Sequence, residues 1–96
     1  MAKTGYLYIM SNRKNGVIYT GVTSDLVKRV YEHRENITGG FTQKYNAKKL
    51  VYYEIFDDID LAILYEKKLK NRNRSFKVAL IERHNPHWQD VYDTLI

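Results

Sequence analysis

Five side chains spread along the chain carry proton-transfer and oxyanion chemistry: Tyr8, Tyr19, Arg29, His33 and Glu66. Phenols and an imidazole exchange protons, a guanidinium offers an oxyanion a planar fork of donors, and a carboxylate holds a cation. Singly, each has a plainer reading. A strand tyrosine is a good β-former on a half-buried surface. Arg29 has Glu32 and Glu35 as ready partners, His33 can be a packed or surface histidine, and Glu66 has Lys70 at i+4. What lifts them above these readings is company. Arg29 and His33, four apart, project from one helix face, and the two tyrosines lie on strands that a turn can bring together.

The elements that must position them follow from local pattern. Gly5 to Ser11 reads as a strand because Tyr6 to Met10 are aromatic, β-branched or long apolar residues. Asn12 to Gly16 breaks the run. Asn15-Gly16, both tolerant of positive φ, signals a hairpin turn before a second strand over Val17 to Val22. Paired across that hairpin, Tyr8 and Tyr19 face one another. Thr23 or Ser24 caps a helix whose apolar side carries Leu26, Val27, Val30 and Tyr31 and which ends near Glu35. Residues 36 to 47, with Thr38, Gly39-Gly40, Thr42 and two asparagines, have loop composition and also carry Phe41 and Tyr45.

Lys48 to Phe56 reads as a third strand, placed centrally because both of its faces are apolar. Asp57, Asp58 and Asp60 are capping candidates for a helix with Leu61, Leu64, Tyr65, Lys68 and Leu69 on its core stripe and with Ala62 and Glu66 on the other flank. Ser75 starts a last helix with Phe76, Ala79 and Leu80 on its core side, flanked by Val78 and Ile81 and stopped at Asn85-Pro86. Beyond it, Trp88, Val91, Tyr92 and Leu95 are spaced for a further helical turn or two against the core. The order β-β-α-β-α-α predicts an α+β fold, a small three-stranded sheet flanked by helices. Neither an internal repeat nor a linker divides residues 1–96, so one domain is expected.

Composition narrows the function. Apolar residues make up 44% and charged residues 28% of the 96, a globular balance. With no cysteine, neither disulfides nor a thiolate zinc site can staple the core. No run approaches the length of a membrane helix, so no membrane partner and a cytoplasmic setting are expected. A net charge of +5 favours a polyanionic partner. Lys67, Lys68, Lys70, Arg72, Arg74 and Lys77 crowd the junction of the last two helices, and Lys44, Lys48 and Lys49 extend that charge. Any one of them reads as a solvated surface cation; as a patch next to Glu66 they favour contact with nucleic acid.

The hairpin Tyr6-Leu7-Tyr8 followed by Tyr19-Thr20-Gly21 resembles the two halves of the GIY-YIG nucleases. The resemblance continues through Arg29, ten residues after Tyr19, then His33, then Glu66, and it covers nearly the whole chain. The chain is most similar to the small stand-alone, single-domain proteins of that superfamily, which are related to the N-terminal nuclease domain of an excinuclease. It shares with them Asn15-Gly16, the phrases Gly40-Phe41-Thr42 and Lys44-Tyr45-Asn46, and Asn85-Pro86 with Trp88. It departs from them in having Tyr6 at the glycine position of the first half, Val22 where some members have lysine, and Arg72 where tryptophan is common.

The resemblance implies a divalent-metal-dependent endonuclease acting on nucleic acid, with DNA the expected substrate, cut structure-selectively or with weak sequence preference. It implies Glu66 as the protein ligand of Mg²⁺, with Mn²⁺ as the other candidate, Arg29 on a phosphate oxygen, and a tyrosine as general base. Tyr8 and Tyr19 both qualify as that base; Tyr8 is preferred, with Tyr19 binding phosphate or orienting water, and with its phenolate favoured by Arg29 and the metal. His33 relays the proton or holds the phosphate. Gly21 is expected to let the substrate backbone approach, Asn85 to order the site from its helix end, and Lys44, Lys68, Lys70, Arg72 and Arg74 to track phosphates. A homodimer or protein partner would supply added specificity. The competing readings are a catalytically silent nucleic-acid-binding module of the same fold and a structural protein whose basic face meets an acidic protein.

Overall fold

The structure, a computed structural model, describes residues 3–37 and 39–96. Thr38, one of the polar residues of the 36 to 47 loop, lies outside the described residues. Three strands form an antiparallel sheet in the order β2-β1-β3: β1 Gly5–Ser11, β2 Tyr19–Thr23 and β3 Lys49–Phe56. The helices are α1 Leu26–Arg34, α2 Phe41–Lys44, α3 Ile59–Lys70 and α4 Arg74–His84, and a 3-10 turn spans Tyr92–Leu95. This is the expected α+β arrangement, with one short helix added inside the 36 to 47 loop.

Alternation along β1 divides the molecule into two cores. Leu7 and Ile9 face Val51, Tyr52, Leu69, Leu80, Ile81 and Trp88, the core beneath α3 and α4. Tyr8 and Met10 face the other way, onto Leu26 and Val30 of α1, Ala47, Leu50 and Tyr92. In the hairpin turn Asn15 takes the positive φ, at 59°, while Val17 donates its backbone N–H to Asn12 Oδ1 at 3.0 Å.

The structure corrects four sequence expectations. Strand β3 is an edge strand, and β1 is central. Both faces of β3 are apolar because each core covers one of them. Its outer edge is closed by the tail: Leu50 N–H donates to Asp90 Oδ1, Val91 N–H donates to the Leu50 carbonyl, and Asn85 Nδ2 donates to the Val51 carbonyl. A covered edge is one way a sheet avoids unwanted pairing. The N-cap of α1 is Asp25, whose carboxylate accepts from Lys28 N–H; Thr23 supports it by accepting from Asp25 N–H.

Helix α3 buries Ala62 and Leu69 and leaves Leu61 and Leu64 exposed, so it is rotated towards the flank that carries Glu66. Helix α4, capped by Asn73 rather than Ser75, buries Leu80 and Ile81 and exposes Phe76 and Ala79. Each helix carries two overlapping apolar stripes, and the sheet takes the one whose small or branched residues allow close approach.

Candidate active site

Tyr8, Tyr19, Arg29 and His33 come together on the β1–β2 face that α1 covers. Tyr8 pairs in register with Gly21 and Tyr19 with Met10, so the tyrosines are diagonal neighbours, with ring centroids 6.2 Å apart. Helix α1 lowers His33 between them, 5.6 Å from the Tyr8 ring and 5.4 Å from the Tyr19 ring. A chain of polar atoms then runs inward. Tyr8 Oη lies 2.9 Å from His33 Nε2, and His33 Nδ1 lies 2.9 Å from Thr42 Oγ1. Arg29 and Tyr19 stand close enough to the Tyr8 hydroxyl to influence its ionisation.

Burial sets the protonation states. The Tyr8 hydroxyl is pushed well above the usual phenol range by desolvation, which the neighbouring Arg29 cation only partly offsets. Arg29 alone does not make Tyr8 a phenolate. His33 is lowered to about 4 by burial first and by Arg29 second, so it is neutral at pH 7. For Arg29, burial works against the charge, but contact with Tyr8 outweighs it and the guanidinium is held more firmly protonated. It also pairs with Glu32 at 3.4 Å.

Tyr8 is only 1% exposed and His33 only 2%, whereas Tyr19 is half-buried. Tyr19 is therefore the more solvent-accessible phenol, and Tyr8, preferred as base from the sequence, stands behind it. At Gly21 a Cβ would sit 2.5 Å from the Tyr8 hydroxyl, so the missing side chain makes room for Tyr8. Thr42 and Phe41 are site residues that the sequence did not single out. Phe41 stacks on Tyr19 with centroids 5.8 Å apart, and the signal was the Gly39-Gly40 pair that turns the chain into α2 with φ of 65° and 74°.

Glu66 lies on α3, which packs through Leu69 on the Leu7 and Ile9 side of the sheet, and its carboxylate pairs with Lys70 at 3.4 Å, with its side chain 18% exposed. Helix α3 packs over β1 and β2 more than over β3, which places it towards the β2 edge. Asn85 is committed elsewhere: its amide donates to the Val51 and Gln89 carbonyls, and its oxygen accepts from Gln89 N–H. It orders the tail against β3 from the end of α4.

The cations divide into two groups. Arg74 donates to the carbonyls of Asn15 and Gly16 and so sits beside the hairpin loop, and Lys44 lies over the Tyr45 ring on α2. Lys68 and Arg72 line a groove with Tyr65, Leu69 and Phe76, where the Arg72 guanidinium covers the Phe76 ring at 4.4 Å. Lys70 is exposed beside Glu66.

This hairpin, its helix and the glutamate on α3 fall within the span that matches a known family. Residues 4–79 match the model of the GIY-YIG catalytic domain, and the chain belongs to that family, a family of nucleases. Among curated proteins it is similar to the UPF0213 protein SpyM50708 of Streptococcus pyogenes serotype M5 (strain Manfredo). The two are 35% identical over 83 residues, which is 85% of this chain and 89% of the relative. The UPF0213 protein SpyM3_1077 of Streptococcus pyogenes serotype M3 is similar to the same extent. Among solved structures it resembles the solution structure of the UPF0213 protein BH0048 from Bacillus halodurans. That match has a TM-score of 0.54 and 27% identity, covering 85% of this chain and 86% of that one. No helix among the described residues is long and apolar enough to cross a membrane.

Proposed function

We propose that the chain is a divalent-metal-dependent endonuclease that hydrolyses phosphodiester bonds in DNA, selecting by strand structure or weakly by sequence, in a cytoplasmic setting. The observation that carries this reading is the buried polar chain Tyr8–His33–Thr42 with Tyr19 and Arg29 beside it, a set of proton-exchanging groups gathered around one imidazole.

The donor set fits Mg²⁺ or Mn²⁺, since both take oxygen ligands and Mg²⁺ is commonly held by one or two carboxylates together with substrate phosphate and water. Among the described residues no three acidic or histidine side chains gather into a cage, so Glu66 would hold the ion as a single carboxylate after release from Lys70. When bound, the ion supplies charge neutralisation at the phosphate and at the departing oxygen.

The chain's own residues do the rest. Tyr19, reachable from solvent, takes the proton of the attacking water as the water oxygen forms its bond to phosphorus and the bond to the leaving oxygen breaks. Tyr19 passes its own proton to Tyr8, and Tyr8 passes its proton to His33 Nε2. The tautomer that serves this relay keeps its proton on Nδ1 and donates it to Thr42. Because burial disfavours the charged imidazole, His33 returns the proton along the same path and Tyr19 releases it to solvent, which resets the chain, while the leaving oxygen takes a proton from solvent. Arg29 meets the negative charge that builds on the phosphate oxygens.

The test is incubation of the purified protein with end-labelled single-stranded, linear duplex and branched DNA in Mg²⁺ or Mn²⁺, with Glu66→Ala in parallel. Metal-dependent cutting that is lost in the variant is expected. Equal, salt-sensitive binding by both proteins with no cutting by either would replace this reading with a silent binding module. Concentration-dependent cutting would point to a homodimer, and cutting restored only by an added protein to a partner that lends specificity.

A further inference from the structure

The site phenol opens onto a row of aromatic rings that catalysis does not use. Phe41 stacks on Tyr19 with centroids 5.8 Å apart and planes inclined by 28°, and Tyr45 follows on Phe41 at 4.7 Å. Helix α2, which carries this row, is held in place. Gly39 and Gly40 turn the chain in the left-handed region, Thr42 is 2% exposed against His33, and Ala47 N–H donates to the Thr42 carbonyl at 2.8 Å. So firmly anchored a segment can bury its large rings, yet Phe41 is 40% exposed and Tyr45 41%.

Covering Tyr19 requires one ring, and Phe41 supplies it. Tyr45 extends the row, and its ring lies under the Lys44 ammonium, 5.3 Å from the centroid. On the other flank of Phe41 an open cavity of about 290 Å³ is lined by Val17, Ile18, Phe41, Arg74 and Lys77. Flat π faces set between cations fit a ligand that carries both a π face and an anion, and a nucleotide has both.

We infer that Phe41 and Tyr45 form a stacking platform for an unpaired nucleobase next to the phosphate at Tyr19, with Lys44, Arg74 and Lys77 taking the flanking phosphates. The inference rests on the nuclease reading and gives it a substrate class. The strand at this site has at least one nucleotide out of the duplex stack, as in single-stranded DNA or at a junction, because a base inside an intact helix has both faces covered by its neighbours.

The experiment measures binding in the Glu66→Ala background, where the strand stays intact. The probes are a single-stranded oligonucleotide with one 2-aminopurine and the same sequence as a blunt duplex. Phe41→Leu/Tyr45→Leu keeps apolar volume and removes the π faces. Tyr45→Leu alone serves if the double variant melts early, since Tyr45 is exposed. Single-strand affinity is expected to fall roughly 10-fold to 100-fold with loss of 2-aminopurine quenching, while duplex affinity changes less than about 2-fold. Equal loss on both probes, or no loss on either, overturns the platform and leaves the row as cover for Tyr19 or as a contact for another protein. The selective loss in a protein whose wild type cuts nothing upholds the platform and overturns the nuclease reading. Cutting by the wild type with no selective loss does the reverse.

Discussion

The two faces of the sheet are built from alternate residues of the same strand and have opposite characters. Leu7 and Ile9 look onto a dry apolar core of Val51, Leu69, Leu80, Ile81 and Trp88. Tyr8, one residue between them, looks onto His33, Tyr19 and Arg29. A one-residue slip of register would exchange the faces and destroy both. The apolar face supplies stability, and the polar face, with its hydroxyls and imidazole tied to one another, spends some of that stability on a set of groups held ready for proton transfer.

The contrast can be broken most strongly on the dry side. Trp88 is fully buried, and its indole N–H donates to Glu82 at 2.8 Å. Trp88→Ala should therefore cost about 3–5 kcal/mol in urea unfolding, while the folded fraction keeps its cleavage rate. Next comes Gly21→Ala, whose new methyl would meet the Tyr8 hydroxyl. A stability loss of roughly 1–3 kcal/mol is expected, as for overpacking. Unlike the tryptophan variant, it should also lose cleavage at temperatures where it is fully folded.

A smaller and pH-dependent effect belongs to His33. Its folded value of about 4 lies below the ordinary 6.5, so between those values the unfolded chain binds the proton and the native chain does not. Stability should rise with pH across that window, by on the order of 2 kcal/mol once solvent screening is allowed for, and be level above it. In His33→Asn the slope should flatten, as thermal melts at pH 4.5 and pH 7 would show.

The polar face was largely legible from the sequence, because strand alternation and the i, i+4 spacing of Arg29 and His33 are local facts. The order of the strands was not. Two apolar faces on β3 suggested a central strand, but only the tail, folded back through Asn85, Asp90 and Val91, reveals why an edge strand can look like one. The stripe on α3 was misread for a related reason. Leu61 and Leu64 outrank Ala62 in hydrophobicity, yet packing against the sheet takes Ala62 and Leu69. Thr42 and Phe41 escaped notice as site residues because a four-residue helix has no periodicity to read, and the placement of Tyr8 behind Tyr19 depends on packing that no spacing encodes.

The most direct test of the central claim is the single-turnover cleavage rate of Tyr19→Phe at saturating protein. The substitution removes one half-exposed hydroxyl and keeps the ring that stacks on Phe41, so folding and DNA binding should be unchanged. If Tyr19 takes the proton from water, the rate should fall about 100-fold or more, the usual loss for a positioned acid–base group. A rate within about twofold of the wild type would contradict the account and remove the tyrosine chain from the chemistry.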